Sequence, residues 1–168
     1  MKHLYPILTG IVILAACHSK QPAASPEPLS EAEQRLPENA VRGLTTTNGL
    51  ETTLFASEPA IMNPTNMDID EKGRVWITEA YNYRNEINPT HPYKKEGDRI
   101  MILEDRDGDG KADTAKVFYQ DTSINAALGI CVLGNKVIVS CSPNVFIFTD
   151  TDGDDKPDKK ELLFRGIG

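Results

Sequence analysis

The chain has 168 residues, 39% hydrophobic and 26% charged, with 18 Lys and Arg against 25 Asp and Glu and a formal charge of −7. That acidic balance excludes nucleic acid as a partner, because neutralising phosphates needs clustered cations. Its three cysteines form no Cys-x-x-Cys-His, which excludes a c-type haem attached to this chain by the usual route.

Met1-Lys2-His3 is a short basic start, Leu4 to Ala16 is an apolar stretch too short to span a bilayer as a mature helix, and Leu14-Ala15-Ala16-Cys17 ends it with small residues. This segment resembles a bacterial lipoprotein signal, which implies a signal peptide over 1–16, cleavage before Cys17 and diacylglycerol on the Cys17 thiol. Acyl chains there hold the mature protein at a membrane of the cell envelope, on the periplasmic or outer-membrane side, without a transmembrane span. His18 rather than Asp follows the cysteine, which by the same resemblance disfavours inner-membrane retention. Residues 17–48 are the lipidated cysteine and a flexible linker. From Ser19 to about Thr47 the composition is Pro, Ala, Ser, Glu and Gln, too polar to bury a core. Within it, Ser30-Glu31-Ala32-Glu33 predicts a capped short helix through Arg35.

The folded part is expected over 49–168 and opens with a strand from Thr52 to Ala56. Apolar runs bounded by turn residues then predict strands at Asn66–Ile69, Val75–Thr78, Ile100–Glu104 and Ala115–Tyr119. A second set follows at Gly129–Leu133, Val137–Ser140, Val145–Thr149 and Glu161–Phe164, with Gly134-Asn135 as a two-residue turn. The sets are copies. Arg99 to Asp113 aligns with Asn144 to Asp158 at a displacement of 45, and Val117-Phe118 falls on Leu162-Leu163. Gly73 to Thr78 aligns with Asn135 to Ser140 at a displacement of 62, so the first copy carries 17 extra residues. They lie in Ala80 to Gly97, a stretch without periodicity that holds three Asn and two Pro and predicts a loop.

A repeat of about 40 to 45 residues made of short strands and tight turns is the period of one four-stranded propeller blade. The expected fold class is all-β: a partial β-propeller of about two four-stranded blades, blade one over about 66–120 and blade two over about 127–168. Two blades leave open edges and uncovered faces. The chain is therefore either part of a longer protein or completed by another chain; the first is favoured, since no closing strand or cap precedes Gly166-Ile167-Gly168. Hairpin register places Cys131 across from Ile138 and Cys141 opposite Leu128 on the other face of the ribbon. Both are expected to be small buried residues without a disulfide.

Asp105, Asp107, Asp109 and Asp113 stand at relative positions 1, 3, 5 and 9, with Gly110 at position 6 permitting the sharp turn that lets alternate carboxylates converge on a hard cation such as calcium. Lys116 occupies position 12, where an EF-hand needs a bidentate Glu, so a true EF-hand is excluded. The spacing is nearer to the calcium loops of thrombospondin type 3 repeats. The second loop, Asp150, Asp152, Asp154 and Asp158, has Asp155 at position 6 and fits less well. Two readings stay open: a bound cation, or solvated hairpin turns in which Asp side chains bond their own backbone amides.

Blade connectivity places the aspartate turns on one end. The Ala80–Gly97 segment and the blade connection Gln120–Ala127 fall on the other. A ligand is expected at that second end, near Glu79, Asn82, Tyr83, Arg84, His91 and Tyr93, because long polar loops over a propeller mouth build concave sites.

Gly49-Leu50-Glu51, Ala56-Ser57-Glu58-Pro59, Asn63-Pro64-Thr65-Asn66-Met67, Gly73-Arg74-Val75-Trp76-Ile77-Thr78-Glu79-Ala80 and Gly97-Asp98-Arg99-Ile100-Met101-Ile102-Leu103-Glu104-Asp105 resemble the N-terminal propeller of membrane-bound dehydrogenases abundant in Planctomycetes, Verrucomicrobia and Bacteroidetes. These are similar to quinoprotein glucose/sorbosone dehydrogenases. The resemblance covers about residues 49–168. It implies a six-bladed propeller that oxidises a sugar or related alcohol with pyrroloquinoline quinone (PQQ) or another quinone and passes electrons to a cytochrome c domain or protein. The later blades, where that family places its catalytic histidine and most quinone contacts, have no counterpart here, so no catalytic residue transfers to this sequence. The expected function is the N-terminal part of such a lipid-anchored enzyme, inactive alone. The alternative is a lipid-anchored, non-enzymatic propeller that binds a glycan or protein.

Overall fold

A computed structural model describes residues 28–85, 87 and 91–166. The signal peptide, Cys17 and the first part of the linker lie outside the described residues. The linker helix α1 spans Glu31–Gln34 and is held by a capping box: Glu33 N donates to Ser30 Oγ at 3.3 Å while Ser30 N donates to Glu33 Oε2 at 2.9 Å. A single 3₁₀ turn at Pro37–Asn39 follows, and neither element buries a residue.

Among the described residues, eight strands form two antiparallel sheets. The first is β1 (Pro64–Ile69), β2 (Val75–Glu79), β3 (Asp98–Glu104) and β4 (Thr114–Asp121). The second is β5 (Gly129–Leu133), β6 (Lys136–Cys141), β7 (Asn144–Thr149) and β8 (Lys159–Arg165). Each sheet keeps its strands in chain order. Every strand expected from 66 onward is present, most of them longer by one or two residues. The strand expected at Thr52–Ala56 is not one. That segment runs extended across the aspartate turn of the first sheet, held by Ala112 N to Phe55 O at 2.8 Å and Thr53 Oγ1 to Gly110 O at 3.1 Å. A turn offers no run of free ladder groups, so no strand pairing develops.

The 45-residue repeat extends to a shared irregularity. The β3–β4 ladder pairs Ile100 with Tyr119 and then Met101 with Val117; the β7–β8 ladder pairs Val145 with Phe164 and then Phe146 with Leu162. Each fourth strand thus carries one extra residue, Phe118 or Leu163, as a bulge that bends the outer strand.

Strand alternation then decides the stacking. Trp76, Ile100, Ile102 and Phe118 leave the first sheet on one face and pack against Val137, Val139, Phe146 and Phe148 of the second. By the repeat, Phe146 and Phe148 correspond to Met101 and Leu103, which lie on the opposite face of the first sheet with Ile77. The sheets therefore stack front to back, as successive propeller blades do, rather than as the two mirrored halves of a sandwich. This fold is a partial β-propeller. The inner strands β1 and β5 lie side by side, joined by Thr65 Oγ1 to Ala127 O at 2.5 Å, Asn66 Nδ2 to Leu128 O at 3.1 Å and Val132 N to Asp68 Oδ2 at 2.7 Å.

Cys131 and Cys141 are free thiols. Cys141 is buried and donates to Asn125 O at 2.9 Å. Cys131, expected to be buried, is exposed, because its partner Ile138 corresponds to Trp76 and shares the face of the second sheet turned away from the first.

Candidate functional site

The two ends of the blade pair carry different chemistry. On the aspartate end, the β1–β2 turn closes on Asp70. Its Oδ1 accepts from Lys72 N at 3.0 Å and Arg74 N at 2.9 Å; its Oδ2 accepts from Arg74 Nε at 2.7 Å and Trp76 Nε1 at 2.9 Å. Burial raises this carboxyl, but the bonds from Trp76 and Arg74 outweigh it and hold Asp70 below the usual range. Arg74 then reaches the next blade, with Nη1 2.7 Å from Asp155 Oδ1, while Lys116 Nζ lies 2.7 Å from Asp155 Oδ2.

The two aspartate loops share the same set of backbone-amide bonds. Asp105 accepts from Gly108 N at 2.8 Å and Gly110 N at 2.9 Å, as Asp150 does from Gly153 N at 2.7 Å and Asp155 N at 3.0 Å. Asp113 accepts from Arg106 N and Asp158 from Thr151 N, each at 2.6 Å. Asp107 and Asp109, like Asp152 and Asp154, each accept from the amide two residues on. The Gly110 amide bond chiefly holds the Asp105 carboxyl below its usual range. These loops are closed by their own amides. Their carboxylates also converge: Asp105, Asp107 and Asp109 in one loop, and Asp150, Asp152 and Asp158 in the other, place oxygens within 4.8 Å of one another, near enough to share a hard cation. Asp113 and Asp154 stand outside these two groups.

On the opposite end, the Ala80–Gly97 segment meets the blade connection. Glu79 lies at its root, fully engaged by Arg99 Nε at 2.6 Å, Arg99 Nη2 at 2.7 Å and Met62 N at 2.7 Å. Asp98 is the clasp. Its Oδ1 accepts from Asn82 N at 2.9 Å and its Oδ2 from Ala126 N at 2.8 Å, tying segment to connection. Burial pushes the Asp98 carboxyl up, and these two amides only partly offset it. Asn82 Oδ1 accepts from Lys94 N at 2.9 Å; Asn125 Oδ1 accepts from Asp98 N at 2.9 Å and Asn82 Nδ2 at 3.3 Å.

Above this clasp opens a depression of about 300 Å³ lined in part by Asn82, Arg84, Asn85, Tyr93 and Asn125. Tyr93 hydroxyl accepts from Asn125 Nδ2 at 3.2 Å. The Arg84 guanidinium stands 5.1 Å from the centre of the Tyr83 ring. Arg84 and Ala126 both hold left-handed backbone, with φ of 54° and 59°. His91 stacks on Tyr81 at 4.1 Å and is held by Asn85 Nδ2, which donates to the His91 carbonyl at 2.7 Å.

Of the six residues expected at this end, Asn82, Arg84 and Tyr93 line the depression, the exposed Tyr83 carries the Arg84 guanidinium on its ring, Glu79 is buried and paired with Arg99, and His91 is half-buried against Tyr81. Sequence reasoning missed Asp98 and Asn125, whose only signal is a carboxylate directly before the apolar Ile100–Leu103 run and an Asn opening a short Ala-rich connection. It also missed Lys160, which spans the blade junction over the rings of Tyr119 and Phe146, at 5.0 and 4.6 Å, and bonds Ser123 Oγ.

A solved structure of the Trichoderma reesei carbohydrate-active enzyme of family AA12, an iodide structure, matches with a TM-score of 0.52 and 16% identity, covering 73% of this chain and 28% of that one. The holo form of the pyranose dehydrogenase PQQ domain from Coprinopsis cinerea matches with a TM-score of 0.47 and 19% identity, covering 64% of this chain and 22% of that one. The chain thus spans between 22 and 28% of the length of these two structures. No curated protein sequence matches it. Residues 36–168 match the family described as a domain of unknown function, DUF7133, and the chain belongs to that family.

Proposed function

We propose that this chain is the amino-terminal arc of a lipid-anchored propeller of the quinoprotein dehydrogenase type, which holds a sugar or related alcohol at the Tyr93 end and is inactive alone. One observation carries the reading: the Ala80–Gly97 segment and the blade connection together build a polar depression, at the end away from the aspartate turns, on a fold shared with a carbohydrate-active enzyme. The outer face of the second sheet supports the idea of further blades, with Leu133 and Phe164 exposed on it. The outer face of the first is partly covered: Phe55, Ala56 and Ile61 pack on Ile77, Met101 and Leu103 and leave an apolar groove of about 420 Å³ beside them.

The depression's own groups support the reading that the chain is inactive alone. Sugar oxidation needs a base for the hydroxyl proton and an acceptor for the hydride. Among the described residues here, Glu79 is paired with Arg99, both Asp98 oxygens accept amides, and His91 is stacked and held by Asn85. Nor do these residues fit a quinone. They offer one cation, Arg84, to a cofactor bearing several carboxylates, so quinone contacts belong to blades beyond this arc, as does a cytochrome partner. The aspartate loops, on the far end, serve as structural sites for calcium or a similar hard cation. Lipid on Cys17 places the assembly at a membrane of the cell envelope.

The test is reconstitution of a longer protein carrying further blades with PQQ and a redox dye. The longer form is expected to reduce dye with sugars and the 168-residue chain is not. A longer form that retains sugar without ever reducing dye overturns the enzymatic reading in favour of a glycan-binding propeller.

A further inference from the structure

The groups around the depression are not balanced between donors and acceptors. Asn82 Oδ1 is taken by Lys94 N, Asn125 Oδ1 by Asp98 N and Asn82 Nδ2, and the Asp98 carboxylate, 1% exposed, by Asn82 N and Ala126 N. Asn85 spends its Nδ2 on the His91 carbonyl, and the charged and hydroxyl groups that remain to face a ligand, Arg84 and Tyr93, are donors. The Tyr93 hydroxyl accepts from Asn125 Nδ2, so its own hydrogen is free to point outward. Among the described residues Arg84 has no carboxylate partner, in a chain whose formal charge is −7, and its guanidinium rests on the Tyr83 ring. Left-handed backbone at Arg84 and Ala126, neither Gly nor Asn, marks the rim as strained, and such strain collects at ligand sites. Tyr93 lines the depression and is 45% exposed, which leaves its side chain open for a pyranose to lie against.

We infer that the depression takes a carboxylate-bearing sugar, with the carboxylate on Arg84 and the Tyr93 hydroxyl and the sugar ring against the exposed Tyr93 side chain. This rests on the reading of the Tyr93 end as the ligand end and goes further by naming the ligand's charge. An arginine–carboxylate pair is charge-assisted and can be bidentate, which makes it the strongest recognition this rim offers.

The experiment titrates the full chain at low salt with digalacturonate, with the neutral digalactose and with acetate, following backbone amide shifts by NMR. Digalacturonate is expected to bind roughly tenfold more tightly than digalactose, the size of one charge-assisted bond, with shifts at Arg84, Tyr93 and Asn125. Arg84→Gln, an exposed substitution, should abolish that preference while leaving the rest of the spectrum in place; Arg84→Lys should restore part of it. Equal binding of acidic and neutral sugar overturns the carboxylate inference yet leaves the ligand end standing. Acetate binding as tightly as digalacturonate overturns the sugar. No shift with any of the three overturns both.

Discussion

Arg74 Nη1 stands 2.7 Å from Asp155 Oδ1 and joins the first turn of one blade to the aspartate loop of the next. Asp155 occupies the position that Gly110 holds in the first loop and adopts a similar left-handed backbone, with φ of 66° against 84°. In both loops that position touches whatever precedes its blade: Gly110 accepts Thr53 on its carbonyl, and Asp155 takes Arg74 and Lys116 on its two oxygens. The residue that breaks the calcium-loop pattern of the second loop therefore fastens two blades together.

Asp155→Gly consequently tests which role governs. It relieves left-handed strain and improves the loop pattern, but leaves the largely buried Arg74 with Asp70 alone. The expected net loss is about 1–3 kcal/mol in urea unfolding, the cost of half-orphaning a buried guanidinium less the backbone relief, discounted for partial exposure. Unchanged or increased stability would assign Asp155 to the turn and not to the junction.

Strand positions were legible because side chains alternate and the copies check each other, so Val75, Ile100 and Val145 needed no tertiary information. The end that carries the depression was half legible. Chain connectivity alone put Asn82, Arg84 and Tyr93 there, but nothing local distinguishes an engaged carboxylate from a free one. Glu79 is tied up by Arg99, twenty residues on, and Asp98 by an amide of the blade connection. Cys131 was misread because burial on the outer face depends on what covers the second sheet, which no feature of residues 129–141 records.

The repeat itself supplies a second comparison. Phe118 and Leu163 are the same bulged position, but Phe118 is 2% exposed, with its ring 4.8 Å from Trp76 and 6.3 Å from Phe148, whereas Leu163 is 42% exposed. Phe118→Ala is expected to cost about 3–5 kcal/mol and Leu163→Ala about 1 kcal/mol or less. Equal costs by chemical denaturation would mean that the outer face of the second sheet is covered in solution.

Self-closure of the aspartate loops separates backbone roles from cation roles. With chelator present, Asp105→Ala removes the acceptor of two loop amides and should lower the melting temperature more than Asp107→Ala, which removes the acceptor of one. Adding calcium should then raise the melting temperature of the unaltered chain and raise that of either variant less. A calcium response identical in all three would show that the first loop does not hold the ion.

Acid stability sets opposed groups against each other. Asp70 and Asp155 have carboxyls held low by Trp76, Arg74 and Lys116 against the pull of burial, so their contribution is complete above the unfolded value of about 3.9 and is lost as pH falls through their folded values. Asp98 is raised by burial. The native state takes its proton first, and its contribution therefore declines as pH climbs from about 3.9 through the raised folded value. Asp98→Asn removes this counter-slope, so the variant, whatever its absolute stability, should gain stability more steeply with rising pH in weak acid than the unaltered chain. Parallel profiles would mean that Asp98 is not the buried clasp described here.

Gly97 makes the same clasp testable without charge. It enters β3 with φ of 88°, and a Cβ there would lie 2.2 Å from the Asp121 carbonyl carbon and 2.4 Å from Thr122 N, both backbone atoms at the start of the blade connection. Side-chain rotation cannot relieve such an overlap. Gly134, in the β5–β6 turn, has φ of 60° and open space around it. Gly134→Ala should therefore cost only the left-handed backbone, about 1–2 kcal/mol, while Gly97→Ala must in addition part the Ala80–Gly97 segment from the connection, breaking Gln120 Nε2 to Gly97 O and straining the Asp98 bonds to Asn82 and Ala126. Beyond its larger loss of stability, Gly97→Ala should raise amide exchange at Asn82 and Ala126 while exchange in β6 and β7 keeps its order. Equal costs at the two glycines would mean that the segment and the connection are not locked together, and the depression between them would lose its floor.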